Sequence, residues 1–175
     1  NQAGRSNVLA QLKAMGLEVD AKDPRINHLT SSIKTLEAEQ GLTFDGADAS
    51  FELYTRRQFG QSVSFFQLDR FRVIGERRHN AKGDQVTESM AMVQLEITDR
   101  VFIEAAPGNG PVDALNAALR KALLEVYPSL TDMHLTDYRV RILDGRSGTA
   151  AKTRVMIESE DSAGRTWTTV GVSTN

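Results

Sequence analysis

Residues 106–114, Ala-Pro-Gly-Asn-Gly-Pro-Val-Asp-Ala, join a run of predicted strands to a strongly amphipathic helix, and they constrain the fold more than any other segment. A shorter echo occurs near the end, where strand-like residues 167–170 lead into Gly-Val-Ser-Thr-Asn at 171–175. Two strand-rich runs that each end in a glycine turn and a helix start indicate an internal duplication. The second helix would begin where the sequence stops, so we expect the chain to be a fragment.

The first 60 residues have the pattern of a wholly helical region. Ser6 can cap a first helix, and Asp23 followed by Pro24 has the N-cap and N1 arrangement of a second helix, which Gly41 would end. A third helix is expected after Asp45. The apolar residues at helical spacing are Val8, Leu9, Leu12, Met15 and Leu17, then Ile26, Leu29, Ile33 and Leu36. Because three short helices make a small core, we expect them to pack on something else.

Beyond residue 60 the hydrophobic period changes to about two, which predicts strands. A hairpin turn is expected at residues 79–84, where Gly83 supplies a positive φ. The strands predicted for a first meander are residues 71–77, 86–97 and 101–105. Those predicted for a second meander are residues 135–143, 150–160 and 165–172.

The clearest single element is a helix predicted from Pro111 to Tyr127, which Pro128 would end. Arg120 and Lys121 are expected to face water. The apolar stripe predicted to face the core is Val112, Leu115, Leu119, Ala122, Leu123 and Val126.

These patterns predict an α+β fold: an all-helical linker subdomain over residues 1–60, then a duplicated βββα domain over residues 61–175 with its last helix missing. A βββα unit exposes one sheet face and open edges, which is costly. We therefore expect a homodimer that covers the exposed surface.

Composition narrows the class of protein. The 175 residues include no cysteine, which excludes disulfides, thiol nucleophiles and zinc-thiolate sites and suits a reducing compartment. The 21 basic and 23 acidic residues give a net charge of −2, so we expect no nucleic-acid binding. Neither an apolar run long enough for a membrane span nor a signal-peptide pattern occurs. We expect a cytoplasmic globular protein.

Catalytic and metal-binding patterns are missing from the sequence. His28, His79 and His134 lie far apart, without the spacing of metal ligands. Acidic residues over positions 45–52 favour a solvated helix face over acid–base chemistry. The basic stretch of Arg56, Arg57, Arg70, Arg72, Arg77 and Arg78 favours cross-strand ion pairs or a wet sheet face over phosphate binding. We assign no catalytic residue, metal ligand or cofactor to this chain.

The junction at 106–114 suggests binding of a small zwitterion. With Gly110 or Asn109 at the N-cap, Pro111 at N1 and Asp113 at N3, the free N–H groups and the helix dipole can receive a carboxylate. Asp113 and strand carbonyls could hold an ammonium group. Apolar residues available to clasp an aliphatic side chain are Val112, Ile142 and Val172. The alternative is an ordinary loop and cap, in which an N3 aspartate is favourable without any ligand.

The chain resembles the C-terminal part of the 2-isopropylmalate synthase and citramalate synthase family, and the resemblance covers nearly its whole length. The matching segments are Gly-Arg-Ser-Asn at 4–7, Phe-Asp-Gly-Ala-Asp-Ala-Ser-Phe-Glu-Leu at 44–53, Gly-Asn-Gly-Pro-Val-Asp-Ala at 108–114, Asp-Tyr at 137–138, Gly-Thr-Ala-Ala at 148–151 and Gly-Val-Ser at 171–173. The segment at 44–53, together with residues 157–159 and Trp167, favours the citramalate branch. Ala3 departs from the serine that the family usually has there.

The resemblance implies a dimerising regulatory domain of paired βββα units with an effector pocket near the dimer interface. With Val112 from the argument above, the implied effector-binding residues are Asn109, Gly110, Pro111, Val112, Asp113, Tyr138, Ile142, Ala150 and Val172. It implies isoleucine as the effector in the citramalate branch and leucine in the isopropylmalate branch. The acyltransferase activity, with its divalent metal, belongs to a catalytic barrel of the same chain that this sequence lacks, so we expect the fragment to be inactive alone. A purely structural dimerisation domain is the alternative.

Overall fold

The computed structural model describes residues 2–61, 64–143 and 151–173. Over these residues the fold is α+β, with four α-helices and two three-stranded antiparallel sheets. The chain forms two compact units. The central unit is Ser64–Met133, and the composite unit is Asn1–Val63 together with His134–Asn175. The division predicted at residue 60 stays a prediction, although this grouping joins the second sheet to the helices.

Three helices begin the composite unit: α1 (Gln2–Ala14), α2 (Pro24–Gln40) and α3 (Asp48–Gln58). The signals for α2 are confirmed, since the Asp23 carboxylate accepts from the Arg25 N–H at 2.8 Å and Gly41 ends the helix with φ 73°. The cap predicted at Ser6 is wrong because α1 already begins four residues earlier. The core between α1 and α2 consists of Val8, Leu12, Ile26 and Leu29.

The central unit is a β-meander with one helix on it. Strands β1 (Gln67–His79), β2 (Gln85–Ile97) and β3 (Arg100–Gly108) pair antiparallel in that order, and α4 (Pro111–Leu124) covers one face. Gly83 has the expected positive φ of 84°. A second, unpredicted turn joins β2 to β3 through Thr98 and Asp99, whose φ values of 49° and 62° fit a two-residue hairpin.

Alanines rather than leucines form the centre of the interface between α4 and the sheet. Ala114, Ala118 and Ala122 are fully buried at intervals of one turn, and small side chains let the helix approach the strands closely. The leucines of the predicted stripe pack at the sides of this row. Val112 does not belong to the stripe, because 45% of its side chain is exposed. The buried face of α4 is therefore rotated about the helix axis relative to the face that the sequence predicted.

The C-terminal end of α4 also differs from the prediction. The helix ends at Leu124 rather than Tyr127, and a 3₁₀ turn follows over Pro128–Asp132. Arg120, which we expected to face water, donates to the Leu130 carbonyl at 2.8 Å and to the Met133 carbonyl at 2.9 Å. These bonds join α4 to the 3₁₀ turn and to the residue that follows it.

The second sheet repeats the first in detail. Strands β4 (His134–Ile142), β5 (Thr153–Glu160) and β6 (Thr166–Ser173) form another antiparallel meander. Its register shifts between Leu135 and Asp137, and the first sheet has a shift between Leu68 and Arg70. A bulge at the same place in the opening strand of each sheet is consistent with a duplicated βββ unit. The turn predicted at residues 144–148 lies outside the described residues.

Candidate effector site

The junction between β3 and α4 is built tightly. A Cβ on Gly108 would lie 2.2 Å from the Ala114 backbone nitrogen, so only glycine lets the end of β3 pass the first turn of α4. Gly110 is the N-cap in an extended conformation, and its carbonyl accepts from the Ala114 N–H at 2.9 Å. No side chain caps this helix start. The N–H groups of Val112 and Asp113 lie in the first turn, where the helix itself supplies no acceptor.

Asp113 has a partner from its own loop. Its Oδ2 atom accepts from the Asn109 N–H at 2.9 Å, so the carboxylate closes the loop in the manner of a capping residue. Within the described parts of the chain, its other oxygen has no hydrogen bond. The geometry therefore agrees with the ordinary cap that we considered from sequence and still leaves one carboxylate oxygen free to accept from an ammonium group.

The candidate residues at this junction lie on the surface. Asn109, Pro111, Val112 and Asp113 are exposed and Gly110 is half-buried. An exposed Val112 beside free N–H groups and a carboxylate places an apolar contact, a positive dipole end and a negative charge within one turn of helix. A small molecule that carries both charges and an aliphatic side chain matches these three features.

Two other candidates lie on β4 in the composite unit. Tyr138 and Ile142 project from the same face as Val140 because side chains alternate along a strand. Their side chains are 40%, 61% and 53% exposed for Tyr138, Ile142 and Val140 respectively. A tyrosine that alternates with valine and isoleucine along a strand is usually a core residue, but in the chain alone Tyr138 is exposed. An exposed row of three large apolar side chains needs a partner or a ligand.

Val172 lies elsewhere. It pairs with Arg154 across β5 and β6, whereas Tyr138 pairs with Ile157, so Val172 projects from the sheet face opposite to Tyr138 and Ile142. Its side chain is half-buried. Ala150 lies outside the described residues. The structure thus places residues 109–113 together in the central unit and Tyr138 with Ile142 on one strand face, and the effector assignment stays a prediction.

The remaining polar candidates have structural partners. Asp48 accepts from the Thr168 N–H at 3.0 Å, and Glu52 forms an ion pair with Arg56 at 2.7 Å. Asp45 and Asp48 are exposed, as expected for a solvated acidic face. Arg78 pairs with Glu88 across β1 and β2 at 2.9 Å, which confirms an expected cross-strand ion pair. Among the described residues, no group of three metal-ligating side chains occurs. In the part of the chain that the structure describes, none of the helices is both long and apolar enough to cross a membrane.

Sequence reasoning assigned no role to Arg154, which lies on β5. Its guanidinium donates to the carbonyls of Thr43 and Asp45, both at 3.0 Å. The sequence offered only a weak signal, since Arg154 is a charged residue that alternates with Val155 and Ile157 on a predicted strand.

The family model of the LeuA allosteric (dimerisation) domain matches residues 45–175. The chain belongs to this family. The match begins within the loop that precedes α3, so this LeuA-type domain includes α3 and both sheets. The resemblance inferred from the sequence motifs is thereby confirmed.

Curated relatives agree with this assignment. The (R)-citramalate synthase of Synechocystis sp. is 44% identical over 99% of this chain, and that of Aquifex aeolicus is 46% identical over 99%. The 2-isopropylmalate synthase of Klebsiella pneumoniae is 26% identical over 87% of the chain. The aligned region is only 31%, 32% and 24% of these proteins, so the chain spans about a third of the citramalate synthases that it matches. Over its length it is similar to the corresponding part of these citramalate synthases.

Proposed function

We propose that this domain senses a branched-chain amino acid, with isoleucine as the favoured effector, and inhibits a parent enzyme that joins acetyl-CoA to pyruvate. One observation carries the proposal: a LeuA allosteric domain presents free helix N–H groups, a half-occupied carboxylate and an exposed valine at a single junction. The citramalate synthase relatives favour the pyruvate-using branch and therefore isoleucine over leucine. The catalytic barrel and its divalent metal would lie in the rest of the parent chain.

The roles of the residues follow from their chemistry. The N–H groups of Val112 and Asp113 bind the amino-acid carboxylate at the positive end of the α4 dipole. The free oxygen of Asp113 accepts from the ammonium group, while Asn109, Gly110 and Pro111 hold the loop in the required conformation. Further apolar contacts come from Tyr138, Ile142, Ala150 and Val172, as the family resemblance implies.

Dimerisation is the second part of the proposal. The sheet face of the central unit opposite α4 exposes four large apolar side chains: Ile74 at 48%, Met90 at 54%, Val101 at 60% and Ile103 at 59%. A monomeric protein rarely leaves such a patch bare, and a second copy of the chain would cover it. Sedimentation equilibrium measures this directly. A monomer at micromolar concentration would contradict the proposal.

Calorimetric titration with isoleucine, leucine and valine tests the sensing role. We expect heat from isoleucine at a stoichiometry of one site per protomer or per half-dimer, and a much weaker response to valine. Asp113→Asn keeps an acceptor for the Asn109 N–H but removes the charge, so the affinity should fall about tenfold, which corresponds to about 1.4 kcal/mol.

Asp132→Asn is the matched control, because Asp132 is an exposed carboxylate of the same unit, and it should leave the affinity unchanged. A preference for leucine would move the chain to the isopropylmalate branch. No heat with any of the three amino acids would favour the structural alternative, in which the domain only dimerises. The closed loop between Asp113 and Asn109, which needs no ligand, is the observation that supports that alternative.

A further inference from the structure

The segment between α2 and α3 is bonded to the second sheet at several separate points of the composite unit. Arg154 on β5 donates to the carbonyls of Thr43 and Asp45, both at 3.0 Å, and Lys152 donates to the Glu39 carbonyl. The Gly46 backbone approaches the Met156 side chain, since a Cβ there would lie 3.3 Å from its terminal methyl. These contacts lie on the sheet face that carries Arg154.

The first turn of α3 holds the outer edge of β6. The Thr168 N–H donates to the Asp48 carboxylate at 3.0 Å, and the Val170 N–H donates to the Ser50 hydroxyl at 2.9 Å. Both N–H groups point away from β5, where an edge strand would otherwise be unpaired. Side chains of α3 thus replace a fourth strand, and they fix the helix to alternate residues of β6.

Arg154 connects this edge to the loop. Its Nε is buried and lacks a hydrogen-bond partner within the described part of the chain, while its terminal nitrogen Nη2 donates to both carbonyls. Across the sheet it stands directly opposite Val172. A displacement of β6 at Val172 therefore reaches residues 43–50 both through Arg154 and through the α3 first turn.

We infer that residues 43–50 and strands β5 and β6 form one coupled block, through which a ligand bound against the second sheet changes the position of α3. Arg154 and Asp48 are its positioning residues. The coupled block is testable without a ligand, whereas its use in signalling rests on the proposed amino-acid sensing. The match to the LeuA family model begins at residue 45, inside this loop.

Amide hydrogen exchange on the full chain tests the block. Arg154→Met keeps the length of the side chain and removes its donors, so exchange should accelerate together in residues 43–58 and in β6. Arg141→Met is the matched control, because Arg141 pairs with Arg154 on the same sheet face and is exposed. It should leave both segments unchanged. Faster exchange in only one of the two segments would overturn the coupling.

A second pair of variants keeps the test valid if Arg154→Met fails to fold. Asp48→Ala removes the acceptor of the Thr168 N–H and should accelerate exchange in β6, whereas Asp48→Asn retains an acceptor and should restore slow exchange. Equal behaviour of the two variants would show that the bond to Thr168 does not hold the edge of β6, and this would contradict the inference.

Saturating isoleucine or leucine then tests signalling. In the wild type, binding should change exchange in both β6 and α3, by about fivefold or more for a typical allosteric coupling. In Arg154→Met the change in β6 should remain and the change in α3 should be lost. An unaltered α3 response would overturn the role of Arg154. Absence of binding in the wild type would refute the sensing proposal while leaving the ligand-free result on the block intact.

Discussion

The two three-stranded sheets are built alike, but opposite faces of them are covered. In the central unit α4 packs on the face that carries Val93, which is fully buried. The equivalent residue in the second sheet is Ile157, which pairs with Tyr138 across the strands. On this face of the second sheet the side chains of β4 are exposed. The other face of the second sheet instead receives the loop that follows α2, through Arg154 and Met156.

This difference teaches that strand order and register do not decide which face of a sheet becomes its core. The central strands show why. Residues 91, 93, 95 and 97 of β2 are Ala, Val, Leu and Ile, which form an uninterrupted apolar face for a helix. The equivalent row of β5 includes Ser159, and its opposite face includes Arg154, which can bond to backbone carbonyls. Side chains rather than topology therefore select the partner of each face.

The largest effect should come from removing a side chain beneath α4. Leu95→Ala creates a cavity in a fully buried site and should lower the free energy of unfolding by about 2–5 kcal/mol. Ile142→Ala, on the uncovered face of the second sheet, should cost under about 0.5 kcal/mol because Ile142 is 61% exposed. Urea unfolding followed by circular dichroism measures both. Equal losses would mean that the second face is covered as well.

A smaller loss of stability is expected from a change at Gly108, the last residue of β3. Gly108→Ala places a Cβ against the backbone of α4 and should destabilise the chain by about 1–3 kcal/mol through overpacking. Gly75→Ala is the control in the same sheet, since no atom lies within 4 Å of the added Cβ. Ser173 stands at the place equivalent to Gly108 in the second sheet, so no glycine is present there. If Gly108→Ala is neutral, the β3–α4 junction is looser than its geometry indicates.

The smallest expected effect is a change in the pKa of Asp161, in the turn between β5 and β6. The Arg165 side chain donates to Asp161, and this lowers the pKa of the Asp161 carboxyl below its usual 3.8. A depressed pKa stabilises the folded state above the unfolded pKa, and this contribution is lost as the pH falls through the folded pKa. NMR titration should show that Arg165→Gln raises the pKa of Asp161.

Asp23 provides the internal control for that titration. Its pKa is also lowered, by the Arg25 side chain, and it should not move when Arg165 is changed.

The elements that sequence predicted well are those set by neighbouring residues. Asp23 and Pro24 begin α2, and Gly41 ends it, because capping depends on bonds within one turn. Gly83 marked a hairpin for the same local reason. Predictions that needed distant partners were less exact: Ser6 lies inside α1, and Arg120 bonds to the carbonyls of Leu130 and Met133 instead of facing water.

For the candidate site, the sequence by itself determined the β3–α4 junction, the order of the elements and the family, since each rests on short motifs in a fixed order. Only the tertiary structure decided that Val172 and Tyr138 project from opposite faces, because a bulge or a register shift of one residue reverses every side chain of a strand. It also decided that Asp48 and Ser50 hold α3 against β6 and that Arg154 of β5 holds the preceding loop, since these bonds join residues more than a hundred positions apart and no local pattern encodes them.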